Sequence, residues 1–520
     1  MGGLLLLLSL SGWFLYRSYT QNDGHIIYTL DDPYIHMTLA KNLAQHGTWG
    51  VNATEFSSSS SSILYTSLLA SLFALTGPFV LLPWVLNIVF ACICLFLTYR
   101  IFVNEQISLR ASAFLVVALI IFTPLPALIS SGMEHTLQIA IDLWFIYLSS
   151  LALSREQNDR RTQIILGLLA MLTVMVRFEG LFLIAIVTLL LLLRGRIITG
   201  AIVAGLGLLP FVAFGLWSVA QGAYFLPNSL LIKGEKPAFS ILGLVTYAFV
   251  WLRKLYSNPH LLILFIALLG YGAFLLKNAY HRWGLRLCWL YILFPVFVMH
   301  LTFARTGWFY RYEAYLIVAS LVPLAWMIDD LFPRVGFTRS LTSLVALLGL
   351  SIFLFPLVKR SAQAFAEIPI ASKNIYEQQY QMAQFLHQHY PQARIVANDI
   401  GAISFFSDTY ILDMYGLGNT ELLTLKMRGQ HDKRHIDQLT QRKNAQIAII
   451  YDEWFVGKIP DSWQKVGEWE IRNNVICAFS TVSFYAVDLD EKNELARRLR
   501  KFSAQLPTDV AQRGPYLSSE

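Results

Sequence analysis

YTLDDPYIHMTLAKNLAQHGTWG, residues 28–50, sets two adjacent carboxylates, Asp31 and Asp32, against a proline and an amphipathic stretch, shortly after an N-terminal apolar run. Pro33 suits the first turn of a helix, and the residue before a proline is pushed out of the α region. The sequence therefore predicts a helix over 33–45 with Asp32 as its N-cap. Ile35, Leu39 and Leu43 follow a four-residue step, with His36, Lys41 and Asn42 elsewhere on the wheel, a pattern suited to a membrane interface. Capping accounts for Asp32 and leaves Asp31 to face whatever approaches the helix start. A carboxylate so placed is a candidate general base, although intramembrane acids also serve transport.

The rest of the chain says what surrounds that pair. Of 520 residues, 56% are hydrophobic and 14% charged, against roughly 25% charged in an ordinary soluble domain. Mean hydropathy is +0.52. Apolar runs fall near 3–19, 79–103, 107–124, 135–153, 163–176, 181–193, 197–219, 258–276, 286–303, 312–328 and 340–357. Several approach the roughly 20 residues that cross a bilayer, so a polytopic helical membrane protein with about 11 spans is expected. The opening MGGLLLLLSLSGWFLYR lacks a basic start and a small-x-small cleavage site and reads as a retained span. With the N-terminus inside, the alternate loops hold Arg100, Arg110, Arg155, Arg160, Arg161, Arg194, Arg196, Lys277, Arg282, Arg286, Arg334 and Arg339. That is the bias the positive-inside rule asks for. It leaves a long first loop, 20–78, and a polar segment, 358–520, on the outer side.

Net charge is +7, but residues 358–520 hold 19 basic and 19 acidic residues, so the excess belongs to the membrane part. Topology explains that excess; a nucleic-acid binder shows its basic patch on a soluble face. Cys92, Cys94, Cys288 and Cys477 make no disulfide framework. The polar segment alternates NIYEQQYQMAQFLHQHY with the strand-like ARIVAND, TYILDMY and AQIAIIYD, which predicts a small α/β domain. Domains are thus expected over 1–357 and 358–520. FSSSSSSILYT, residues 56–66, reads as a flexible linker or a supply of N-caps for a helix from Ile63.

LDDPYIHMTLAKNLAQHGTWGVN resembles the first outer loop of GT-C glycosyltransferases that use polyprenyl-phosphate sugars, especially the arabinofuranosyltransferase-like branch. SGMEHTLQIAIDL (131–143), RFEGLFL (177–183), FLPNSLLIK (225–233), WFYRYEAYL (308–316) and ANDIGAISFFSDTYILDMYGLGN (397–419) are similar in the same order. The likeness covers most of the chain. It departs at Phe178, where proline is common, and at the serine run, which replaces a TSP-like helix entry.

The resemblance implies a donor phosphate on a lipid tail, and the remaining polar motifs suit one. Glu134, three after Ser131, fits either a capping box or an acid of the site. Arg177 and Glu179 fit a paired hairpin turn. Their flanking runs are short for a bilayer, and a buried arginine there needs an anion that either Glu179 or a polyprenyl phosphate supplies. Lys233, Arg305 and Arg311 fit interfacial snorkelling or, for the arginines, a phosphate clamp. Asn228 joins these as a substrate-binding candidate within FLPNSLLIK. Two acids beside a phosphate also fit a divalent cation, and the sequence shows no HExxH, Cys/His cluster or P-loop.

The expected protein is an integral membrane glycosyltransferase of the bacterial inner membrane with site and tail outside. It moves a sugar from polyprenyl phosphate to a glycan, lipid or protein acceptor, with Asp31 as base and Asp32 in support. The rival is a transporter or lipid-sugar flippase, whose paired repeats and midplane sites the sequence does not display.

Overall fold

The computed structural model describes residues 2–157, 159–233, 241–278, 281–331 and 341–518, the side chains of 110, 114, 233, 241–248, 331, 341–350 and 352 apart. Chain contacts divide it into two compact units. The first holds residues 1–13, 84–213 and 233–366; the second holds 14–83, 214–232 and 367–520. The first loop, expected within the membrane module 1–357, thus packs with the C-terminal segment. Helix Asp32–His46 and helix Gly401–Phe406 make close contact there, for reasons given below.

The first unit is helical. Among the described residues, five helices are long and apolar enough to cross a membrane. They are Leu82–Asn104, His135–Ser154, Ile197–Ala220, Pro259–Lys277 and Leu285–Phe303. Ala111–Phe122 and Leu125–Ser131, bent by 41° at Thr123–Pro124, make a sixth if taken together. Pro124 supplies the break by removing a backbone donor. The other expected runs also form helices. Gly2–Gln21 turns polar in its last third, while Arg160–Val176 and Gly180–Leu193 are only 17 and 14 residues long. Among the described residues, length and composition alone thus give five or six spans beside the expected eleven. Apolar side chains point outward along these helices, Phe96, Leu193 and Leu216 each more than half exposed. Such faces suit a lipid solvent. Arg334 and Arg339, used in the topology argument, lie outside the described residues.

The second unit carries a six-stranded sheet: β1 (Arg394–Ala397), β2 (Tyr410–Asp413), β3 (Ile447–Ile450), β4 (Gln464–Glu470), β5 (Thr481–Ala486) and β6 (Ala511–Arg513). Their order is β2-β1-β3-β5-β4-β6. β1 runs parallel to both β2 and β3, and the remaining pairings are antiparallel. A parallel strand must be covered on both faces, and the two-residue period shows how. Ile395, Ala397, Ile447 and Ile449 pack with Phe385 and Leu386 of helix Gln381–His389, with Ile403 and with Leu499. Val396, Ala448 and Ile450 pack with Leu422, Ile436 and Leu439 on the opposite face. β1 therefore connects to β2 over one face, and β2 to β3 over the other. The carboxyl end of β1 is a switch point, the place where α/β sheets open a crevice for ligands.

Candidate active site

The acidic pair differs from its expected geometry in an instructive way. The helix runs Asp32–His46, so Asp31, not Asp32, occupies the cap position, and its side chain makes no capping hydrogen bond. Pro33 stands where the second helical N–H would be, and the Tyr34 N–H donates to the Asp31 carbonyl at 3.1 Å. The Asp31 carboxylate makes no capping bond to the turn it precedes. It turns to the C-terminal segment, where Gly401 N–H donates to Oδ2 and Ala402 N–H to Oδ1, both at 2.7 Å. Asp31 thus has a structural partner that sequence alone did not foresee. Thr38 Oγ1 lies 2.9 Å from Ser404 Oγ, and Lys41 Nζ donates to Phe405 O at 3.1 Å. Asp32, half-buried at the first helical position, adds like-charge repulsion to Asp31.

Asp399, directly after β1, completes this side. Its Oδ2 accepts from Gln379 Nε2 at 2.8 Å and from Tyr451 OH at 2.7 Å, and Tyr451 OH also lies 2.5 Å from Gln378 Oε1. A π-helical turn, Tyr376–Tyr380, sets both glutamines inward, as such bulges do at functional sites. Burial raises the Asp31 pKa well above the carboxylate range, Asp399 raises it further, and the two amide donors oppose the shift without cancelling it. The start of helix Asp32–His46 by itself favours an ionised, weakly basic Asp31. Burial and a second carboxylate outweigh that, and the result is a stronger base than an ordinary aspartate.

The serine run is no flexible linker. Ser57, Ser58, Ser59, Ser60 and Ser62 are all buried. Ser62 does cap the helix Ile63–Thr76, accepting from Tyr65 N–H. Ser60 joins a network in which Thr66 Oγ1 lies 2.7 Å from His36 Nδ1 and 2.9 Å from Ser60 Oγ, and Ser57 and Ser59 meet at 3.2 Å. Asn228 docks on the same run. Its N–H donates to Ser58 O at 2.9 Å and its Nδ2 to Leu417 O at 3.0 Å. These bonds give Asn228 a structural role in the second unit.

Glu134, Arg177, Glu179 and Arg311 come together in the first unit. Arg177 Nη1 donates to Glu134 Oε1 at 2.7 Å, and its Nη2 and Nε donate to Glu179 at 2.6 and 3.1 Å. The capping box expected of Ser131 and Glu134 does not form: Ser131 Oγ donates backward to Leu128 O, and fully buried Glu134 serves Arg177 instead. Tyr312 lies between two guanidinium groups, Arg311 at 5.0 Å and Arg177 at 5.7 Å from its ring centre. Gly307, Trp308, Phe309 and Tyr310 all have positive φ, a strained run for non-glycine residues that clusters at functional sites. Arg360 holds it, donating to Tyr310 O at 2.8 Å and to Glu313 Oε1 at 2.9 Å. Glu313 also accepts from Gly307 N–H at 2.7 Å. Arg311 is buried at the end of this turn, whereas Arg305 is exposed. The Lys233 side chain lies outside the described residues. Glu134→Ala should leave Arg177 held by Glu179 and lower stability by about 1.5–3 kcal/mol, the worth of one hydrogen bond to a charged group, measurable by denaturation in detergent.

Sequence reading missed Asp399, Gly401, Tyr451, Glu313, Arg360 and the buried His135 and Asp142 of helix His135–Ser154. The first two stood within ANDIG, where a glycine two residues after an acid at a strand end signals close backbone approach. Among the described residues no group of three or more His, Cys, Asp or Glu is placed to hold a metal ion.

Comparison with known structures places this architecture. A crystal structure of ArnT from Cupriavidus metallidurans bound to undecaprenyl phosphate aligns with TM-score 0.52 at 12% identity, over 94% of this chain and 98% of that one. The apo structure of the same protein gives 0.51 at 14% identity over the same shares. The chain has the GT-C fold. Within the GT-C architecture, residues 373–485 match a family profile described as a domain of unknown function, DUF8728. No curated protein sequence matches the chain. The arabinofuranosyl branch finds no particular support in these comparisons. The GT-C likeness does span both units, the acidic loop and the sheet domain included.

Proposed function

We propose that this GT-C-fold chain is an integral membrane glycosyltransferase that moves a sugar from a polyprenyl-phosphate donor to an acceptor hydroxyl of the cell envelope. The observation that carries the reading is Asp31, a carboxylate whose proton affinity is raised toward neutrality on a rigid backbone fork, within a fold shared with an undecaprenyl-phosphate-bound protein. In that reaction the acceptor hydroxyl attacks the anomeric carbon, its proton passes to Asp31, and the anomeric C–O bond breaks with its electron pair leaving on polyprenyl phosphate. Asp32 and Asp399 keep the Asp31 proton affinity high. Arg177 and Arg311 are the donor-phosphate candidates of the first unit, and Arg305 and Lys233 remain further candidate cations. Should a divalent cation take part, the acids of the first loop are its natural ligands, and it would neutralise the departing phosphate.

The decisive experiment incubates purified protein with a panel of radiolabelled polyprenyl-phosphate sugars and envelope extracts. Transfer of label from one donor into an extractable product supports the proposal; transport of label into vesicles without transfer returns the chain to the flippase reading. Arg177→Ala should weaken polyprenyl-phosphate binding about tenfold while sparing acceptor binding, and unchanged donor affinity would reduce Arg177 to a partner of its two glutamates. Placement in the bacterial inner membrane, with the first loop and sheet domain outside, is tested by cysteine labelling. A thiol probe that does not cross the membrane should reach a cysteine at the exposed position 53 of the first loop in intact spheroplasts, and one in the 154–161 loop only after permeabilisation.

A further inference from the structure

The carboxyl ends of β1, β2 and β3 carry more than the two aspartates require. β1 leads to Asp399, β2 to Tyr415, and β3 to Tyr451 and Trp454. The Tyr415 and Trp454 rings lie 5.0 Å apart and only 32° from parallel, both half-buried. Trp454 also packs edge-on against Tyr451 at 5.5 Å, and the Tyr451 hydroxyl reaches Asp399. The aromatic pair is thus two groups removed from Asp399, whose charge Asp31 feels.

Basic groups gather at the far end. Lys426 Nζ sits 4.2 Å from the Tyr415 ring centre, and Lys458 Nζ lies 3.5 Å from His431 Nδ1. Burial, joined by the Lys458 and Lys426 charges, lowers the His431 pKa to about 4. Lys426 in turn falls through burial and the Lys458 charge, against Asp413. Like charges held together in this way favour an anion.

We propose that Tyr415 and Trp454, with Lys426 and Lys458 beside them, form a subsite for an acceptor saccharide that carries an anionic substituent, a carboxylate or a phosphate. The apolar C–H face of a pyranose or furanose packs on an aromatic ring, its hydroxyls bond to acceptors such as Asp399, and ammonium groups select the anion. The position supports the assignment, because crevices at a switch point bind ligands beyond the carboxyl ends of the strands. A bilayer contact would also use tryptophan, tyrosine and lysine, but these two rings are half-buried and stacked on each other, so neither projects freely from the surface.

The inference rests on the glycosyltransferase reading, and its test separates the two. Full-length protein in detergent is titrated calorimetrically with a hexuronate oligosaccharide, a phosphorylated disaccharide and a neutral oligosaccharide of equal length. Binding of undecaprenyl phosphate is measured in parallel. Both anionic probes should bind at least tenfold more tightly than the neutral one. Trp454→Ala should weaken all three at least tenfold, Trp454→Phe should retain most of the affinity, and Lys426→Ala with Lys458→Ala should make anionic and neutral probes equal. Undecaprenyl phosphate affinity should stay unchanged in every variant. Equal binding of anionic and neutral probes by the wild type overturns the proposal, as does an unchanged affinity in a Trp454→Ala protein of normal thermal midpoint. Trp454-dependent binding to anionic vesicles with no saccharide binding replaces it with a membrane contact. Loss of donor binding in the wild type counts against the glycosyltransferase reading alone.

Discussion

Asp31→Asn is expected to lower turnover by about 10²–10⁴-fold, the usual share of general base catalysis, while donor affinity and the folded state persist. Asparagine keeps one oxygen to accept from Gly401 or Ala402, but its amide group opposes the second N–H donor. One hydrogen bond of the fork is lost. Against that, the substitution removes a desolvated carboxylate from beside Asp399, so the stability change is small next to the change in rate. Asp32→Asn is the companion variant. Asp32 acts on Asp31 through repulsion, the last of the causes that raise its pKa, and its neutralisation should leave turnover within a few-fold of the wild type. Full turnover in Asp31→Asn together with a dead Asp32→Asn would exchange their roles. Full turnover in both would make the fork purely structural.

The same carboxylate gives a pH signature whose sign follows from its raised pKa. In the unfolded chain Asp31 titrates near the ordinary 3.8, whereas in the folded protein the proton is held up to about 8. Between those values the folded state binds more protons than the unfolded state, so stability falls as pH rises. The contribution is fully present below about 4 and gone above about 8. Activity runs the other way, because the base must be ionised: turnover should climb with pH through the neutral range. Asp31→Asn should flatten the stability slope over that window. Because Asp399 shares the environment, the observed midpoint belongs to the pair of acids and not to either alone.

How much of this was legible depended on whether the deciding interactions were local. Helices from apolar runs, and strands from ARIVAND, TYILDMY and AQIAIIYD, follow from periodicities of neighbouring residues, and they form where the pattern puts them. The bond that gives Asp31 its character spans 370 positions in the chain, and no local rule reports it. Capping reasoning failed by one residue at Asp32 because it counted the conformational effect of Pro33 and not its missing N–H. The serine run misled for a related reason. Serine-rich composition usually means solvation, yet here His36, Thr66 and Asn228 supply partners from elsewhere in the second unit. Glu134 and Arg177, 43 positions apart, were each read against near neighbours, and only the packing of two helices joins them.

Gly401→Ala should be nearly as damaging as loss of the base itself, at a residue that touches no substrate. A methyl group built on Gly401 would stand 2.0 Å from the Asp31 carbonyl oxygen and 2.8 Å from both its carboxyl carbon and Oδ2. The first of these cannot rotate away. The Asp31 carbonyl accepts from Tyr34 N–H and so belongs to the first turn of the helix Asp32–His46. Relief requires one backbone to move by an ångström or more, which opens both amide bonds to Asp31. A misplacement of that size costs about 10²-fold in rate. Two buried N–H donors would also lose their acceptor, at about 1–3 kcal/mol each, although Thr38 with Ser404 and Lys41 with Phe405 still hold the two segments together. The variant should therefore fold with a lowered thermal midpoint, turn over at least about 10²-fold more slowly, and lose the neutral pH dependence as Asp31 gains water. Gly205→Ala is the control, since a methyl group there meets nothing within 4 Å; it should behave as the wild type. Normal turnover in Gly401→Ala would mean that the fork is dispensable and that Asp31 acts, if at all, from another conformation.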